Sequence, residues 1–176
     1  MDGLNWYLYC GGDPVNWIDP LGLCGEKPEG WVMPVDNPVV RAVVGEYGAA
    51  RKQETTYHKG VDFLGDVGDP VKAAKSGKVV VAQAVGDYGN VVYIDHDDGL
   101  STRYAHLDRI DVKVGDIVET GQQIGAMGRT GNVTTEPTHL HFEVRKIREG
   151  ATGVRNIDAV DVNPNEVLPI DSLPKQ

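Results

Sequence analysis

The segment His139-Leu140-His141-Phe142-Glu143-Val144 decides the fold. Successive side chains of an extended strand point to opposite faces, so His139, His141 and Glu143 share one face while Leu140, Phe142 and Val144 share the other. One face suits a core, and the other can carry polar chemistry. Outward from this segment, similar alternation or short apolar runs recur at 60–64, 71–74, 77–85, 90–95, 101–106 and 124–128, with Gly, Asp or Asn between most of them. No window of a dozen residues carries a 3.6-residue apolar stripe. The 22 glycines and 10 prolines among 176 residues add to a composition suited to short strands and tight turns. The pattern predicts a mainly β protein, an antiparallel β-sheet domain with little helix. The length suits one full-sized domain and is too short for two.

The charge narrows the function. With 26 acidic against 17 basic residues the formal net charge is −9, and no cluster of Lys or Arg interleaves with aromatics, which disfavours nucleic-acid binding. The longest aliphatic run, Val79 to Ala82, is far too short for a membrane span. Cys10 and Cys24 both fall near the start and cannot staple the main domain.

The five histidines stand at 58, 96, 106, 139 and 141. In His58-Lys59-Gly60-Val61-Asp62, period-2 alternation puts His58 and Asp62 on one face, and Gly60 with the β-branched Val61 argues against a helix. Together with His139 and His141 this makes two metal-competent pairs projecting from sheet surfaces. Two His and one carboxylate with an open position form the ligand set of a catalytic zinc. His96 runs into the acidic turn Asp97-Asp98-Gly99 and reads as a surface or packing residue. His106 alternates with Tyr104 and closes a strand, and spacing alone leaves its role undecided. Glu143 shares the face of His139 and His141, where it could act as a general base or as an orienting group.

His58-Lys59-Gly60-Val61-Asp62-Phe63, Tyr104-Ala105-His106-Leu107 and His139-Leu140-His141-Phe142-Glu143 resemble the three signature motifs of the lysostaphin-like (LytM-type) zinc metallopeptidases. Tyr88-Gly89-Asn90-Val91-Val92, Val114-Gly115-Asp116 and Gly121-Gln122-Gln123-Ile124-Gly125 are similar to that family's wording too, and the resemblance covers roughly residues 31–147. It implies a β-sandwich of the duplicated hybrid motif type. It also implies Zn2+ held by His58, Asp62 and His141, with His106 and His139 as catalytic histidines. It prefers a histidine to Glu143 as the base, which leaves Glu143 an orienting or salt-bridging part. Tyr104 could line the cleft or stabilise an oxyanion, but core packing through its ring is the stronger reading. The implied activity is hydrolysis of the peptide stems and cross-links of bacterial peptidoglycan. A wall-remodelling housekeeping peptidase, a phosphocarrier on a related β fold, a lipoyl-like carrier and a non-catalytic regulator are the competing readings. The phosphocarrier gives no reason for the 139/141 pair, and the carrier lacks a modifiable lysine hairpin.

The ends read differently. Residues 1–24 contain no Lys or Arg and hold Trp6, Tyr7, Tyr9 and Trp17. Their wording, with Asp19-Pro20-Leu21-Gly22-Leu23, resembles the end of the core in rearrangement-hotspot (RHS) repeat proteins, where a variable toxic domain follows. The expected organisation is an RHS-like end at 1–24, a zinc metallopeptidase domain at 25–150 and a tail at 151–176, loosely structured at best after Ile147. That resemblance implies the C-terminal toxin of a longer effector, with an RHS shell and a cognate immunity protein as partners. With no signal peptide legible in residues 1–20, the expectation is delivery to the periplasm or wall of a target bacterium.

Overall fold

The computed structural model describes residues 30–51, 56–133, 136–147 and 159–176. The RHS-like stretch and both cysteines lie outside the described residues. Twelve strands follow in chain order: β1 (Val39–Val40), β2 (Ala50–Arg51), β3 (Thr56–Tyr57), β4 (Val61–Leu64), β5 (Pro70–Lys72), β6 (Gly77–Ala84), β7 (Asn90–Asp95), β8 (Leu100–Ile110), β9 (Ile117–Val118), β10 (Gln123–Met127), β11 (His139–Ile147) and β12 (Ala159–Val162). Helical structure among the described residues is confined to three-residue 3-10 turns. The mainly β, antiparallel expectation holds.

Ten strands form one sheet in the order β1-β4-β11-β8-β7-β6-β9, with β10 pairing β5 and β8 and β12 pairing β11. Strands β2 and β3 make a separate hairpin. The alternation read from the sequence sorts the two faces. Val61, Phe63, Tyr104, Leu140, Phe142 and Val144 join the main core, and Ala105, Val91 and Tyr93 belong to a smaller cluster with Val81. The polar partners of the 139–144 alternation, His139, His141 and Glu143, are nevertheless buried. Gly60 lets β4 start hard against β11, because a β-carbon there would lie 2.2 Å from the Phe142 carbonyl oxygen.

The expectation of a loose tail needs correction. Val162 pairs with Val144, and Ala159 with Ile147, as β12 extends the β11 edge. The Asn163-Pro164 pair, read as a breaker, instead starts a 3-10 turn in which the Asn163 side chain accepts from the Asn165 N–H. Val167, Leu168 and Ile170 then enter the main core. Too short for a periodic signal, this apolar group gains its burial from contacts distant in sequence.

Candidate active site

Asp62 stands on β4 and His141 on β11, and the register places them directly opposite each other. His58 precedes β4 and swings in from the β3 side. The Asp62 Oδ1 atom lies 2.8 Å from His141 Nδ1 and 3.1 Å from His58 Nε2, and the two nitrogens are 2.9 Å apart. All three residues are buried, and their donor atoms form a group able to hold a metal ion.

The outer partners fix which atoms face inward. His58 Nδ1 donates to the Glu46 carbonyl oxygen at 2.9 Å, and His141 Nε2 donates to Glu143 Oε1 at 3.0 Å. With those hydrogens committed, the remaining ring nitrogens present lone pairs toward Asp62 Oδ1. Three acceptors at such distances repel unless a positive charge lies among them. Burial opposes charge on His141, yet Asp62 and Glu143 push its imidazole up to about 9. Burial likewise favours protonated Asp62, but the hydrogen bonds with His141 and His58 hold it well below the usual carboxylate range. An ion about 2.0–2.2 Å from each donor suits the same trio, and nitrogen and oxygen donors in this ratio fit zinc.

Glu143 is fully buried and braced. Tyr88 Oη donates to its Oε1 at 2.9 Å, and Arg103 Nη1 sits 3.0 Å from Oε2. The Arg103 guanidinium in turn lies over the rings of Tyr88 and Tyr93, 4.6 and 4.3 Å from their centroids. Burial opposes ionisation of Glu143, but His141, Arg103 and Tyr88 hold its pKa at about 2. It is thus a carboxylate that orients His141, and it is unsuited to accepting a proton near neutral pH. Sequence reading missed Tyr88 and Arg103. The available signal was an arginine inside the otherwise uncharged strand segment 101–106, where a buried cation needs an acidic partner.

The other two histidines flank the trio. His139 Nδ1 donates to the Pro137 carbonyl at 2.8 Å, and its Nε2 is 3.8 Å from Asp62 Oδ1. His106 Nδ1 donates to the Thr130 carbonyl at 3.0 Å, and its ring packs edge-on against His139 with centroids 5.1 Å apart. Burial, only partly opposed by the Thr130 carbonyl, lowers the His106 pKa to about 4, so the ring is neutral at pH 7. These residues line a cleft of about 360 Å³, shared with Tyr57, Lys59, Asp87, Tyr88, Val133 and Glu136.

The remaining candidates stand apart. His96 is buried, with Nδ1 donating to the Ser76 carbonyl at 2.8 Å and Nε2 accepting from Thr102 Oγ1 at 3.0 Å. It packs against Trp31. Tyr104 is a core residue whose hydroxyl oxygen accepts the Ala74 N–H at 2.8 Å.

A strand-built cleft with a two-histidine, one-carboxylate donor set is the arrangement of single-metal hydrolases. The sequence profile of peptidase family M23 matches residues 56–163. The chain belongs to that family. It is 40% identical over 115 residues to the peptidoglycan DD-endopeptidase ShyB of Vibrio cholerae, covering 63% of this chain and 26% of that protein. It is 35% identical over 116 residues to the murein hydrolase activator NlpD of Escherichia coli, covering 65% and 28%. The chain thus spans about a quarter of the length of these curated relatives. Among solved structures, the catalytic domain of the antimicrobial peptidase lysostaphin from Staphylococcus simulans superposes with a TM-score of 0.58 at 36% identity, covering 69% of this chain and 86% of that one. A zinc containing peptidase from Vibrio cholerae gives 0.53 at 37% identity, covering 64% and 36%.

Proposed function

We propose that the chain is a zinc-dependent endopeptidase that hydrolyses peptide stems or cross-links of bacterial peptidoglycan. The observation that carries this reading is the convergence of three acceptor atoms, from His58, Asp62 and His141, beneath a cleft flanked by two more histidines. These three residues would hold Zn2+, which when bound lowers the pKa of a water ligand toward ~7 and polarises a carbonyl oxygen. The chain's own residues do the rest. His106 and His139 each commit Nδ1–H to a backbone carbonyl, which leaves Nε2 as the atom that takes a proton from the attacking water. The ring so charged can hand that proton to the leaving amine, and its neighbour can donate to the developing oxyanion. Glu143 keeps His141 in register throughout. The relative named as a peptidoglycan DD-endopeptidase supports the substrate class.

The relative named as a murein hydrolase activator favours a second reading, a domain that regulates other hydrolases without cutting. The retained set of His58, Asp62, His106, His139 and His141 supports the catalytic one. Digestion of purified peptidoglycan with mass analysis of the fragments separates them. Asp62→Ala should lose the metal. His139→Ala should keep it and lose at least 100-fold in turnover. Unchanged metal content in the Asp62 variant overturns the ligand assignment, and intact activity of His139→Ala overturns its role.

The composition break near residue 24 and the Asp19-Pro20-Leu21-Gly22-Leu23 phrase support delivery as the toxin of an RHS-type effector, with a cognate immunity protein. Export of the domain to the periplasm of a Gram-negative host should then lyse or round the cells, whereas cytoplasmic expression should not. Equal harmlessness in both compartments, with an intact metal site, counts against that role.

A further inference from the structure

His106 should not face the cleft. On β8, Thr102 and Tyr104 are fully buried, Tyr104 lies in the main core, and strict alternation would send His106 to the same side. The strand breaks its own rule at this point. Pairing with β7 runs Val92 to Tyr104 and then Asn90 to Leu107, so β8 carries one extra residue. His106 has φ of 63°, a left-handed conformation that non-glycine residues rarely adopt. This β-bulge returns Leu107 to the core and turns the His106 ring toward the cleft.

One side chain holds the bulge open. Thr130 Oγ1 accepts the Asn90 N–H at 2.9 Å and donates to the Leu107 carbonyl at 2.8 Å. The hydroxyl is therefore inserted between two groups of a paired position, where it relays a ladder bond across a widened gap. The carbonyl of the same residue accepts from His106 Nδ1, so Thr130 fixes both the backbone and the ring. Two glycines with positive φ let it come this close. A β-carbon on Gly89 would lie 2.3 Å from Thr130 Oγ1, and one on Gly131 would lie 2.2 Å from the Asp87 carbonyl oxygen. Asn90 Nδ2 adds bonds to the Leu107 and Asp108 carbonyls, both at 3.1 Å.

We infer that Thr130 is a positioning residue for His106: its hydroxyl holds the β7–β8 bulge in the form that aims the imidazole at the reacting atoms. The inference rests on the reading of His106 as a proton carrier. Four proteins test it, the parent and the Thr130→Val, Thr130→Ser and His106→Ala variants. Each is assayed for kcat and KM on peptidoglycan, for zinc content, and for the His106 Nδ1–H signal by NMR in the zinc-free form. Thr130→Val matches the shape of threonine without the hydroxyl. It should lower kcat at least tenfold with KM within about twofold, keep its zinc, and shift the His106 Nδ1–H signal. Thr130→Ser restores the hydroxyl and should recover kcat to within about threefold of the parent. Full kcat in Thr130→Val alongside an inactive His106→Ala overturns the inference and leaves the proposed function standing. A Thr130→Ser variant as slow as Thr130→Val also overturns it. Full activity in His106→Ala removes the proton-carrier reading and this inference with it. Should Thr130→Val fail to fold, Thr130→Ala takes its place, since it too removes the hydroxyl that bonds the Asn90 N–H and the Leu107 carbonyl, and unchanged kcat there overturns the inference.

Discussion

His141 is held on both sides by carboxylates, and the two differ in what they face. Asp62 points into the donor trio, while Glu143 backs onto Arg103, which is itself only 7% exposed. Arg103 Nη1 is 3.0 Å from Glu143 Oε2, yet that oxygen makes no aligned hydrogen bond, so the contact is ionic. Glu143→Gln keeps an acceptor for His141 and Tyr88 but leaves the guanidinium without its counter-charge. Breaking a buried pair from one side costs about 3–5 kcal/mol. Urea melts of the zinc-free variant should show a loss in that range, and a loss below about 1 kcal/mol would mean that water already screens the pair.

A second residue-scale expectation concerns pH. His96 is buried, and burial lowers its pKa, with the Ser76 carbonyl opposing. The unfolded chain then takes up a proton at His96 before the folded one does, near the ordinary value of ~6.5. Its contribution to stability is complete above that pH and drains away as pH falls through it toward the lower folded pKa. Compared with His96→Gln, the parent protein should lose stability more steeply from pH 7 to pH 4. Parallel curves in denaturant melts across that window would contradict the burial argument.

At the scale of elements, β11 does two jobs that its alternation made legible. It supplies Leu140, Phe142 and Val144 to the main core and His139, His141 and Glu143 to the site. The C-terminal segment was illegible for the opposite reason. Beyond its own short 3-10 turns, its place is set by contacts with β11 and with β1 and the residues just after it: Val40 N–H donates to the Pro174 carbonyl at 2.8 Å and Ala42 N–H to that of Gln176 at 2.9 Å. Lys175 reaches Glu46 at 3.2 Å, and the Glu46 carbonyl is what orients His58. Ile170, 3% exposed, anchors this strap. Ile170→Ala should cost roughly 2–5 kcal/mol, as core truncations to alanine do. A change below about 0.5 kcal/mol in a denaturant melt would show that the segment does not hold the strap to the core.

For the molecule as a whole, the core among the described residues begins at Trp31, which is buried with Met33 and Val35 and packs against His96. Deleting residues 1–29 should leave the melting curve and zinc content within error of the full chain, because the M23 match starts at residue 56. Deleting residues 1–35 removes three core side chains and should destabilise the molecule by several kcal/mol. Equal melting of the two truncations would show that the Trp31 packing adds nothing, and a large loss from the shorter deletion would make residues 1–29 part of the folded unit.

The sequence by itself determined the strand-rich class, most of the longer strands and the shared face of His139, His141 and Glu143. These are consequences of a period-2 pattern, which is local and survives in the written chain. What it left undecided was non-local. The orientation of His106 depends on one extra residue opposite β7 and on Thr130, 24 positions away, whose carbonyl accepts from the ring and whose hydroxyl bridges Asn90 and Leu107. The part played by Glu143 depends on Arg103 and Tyr88, which reach it across the sheet and from the cleft wall. Bulges, buried charge partners and straps are fixed by burial and hydrogen-bond satisfaction between segments distant in sequence, and only the tertiary structure brings those segments together.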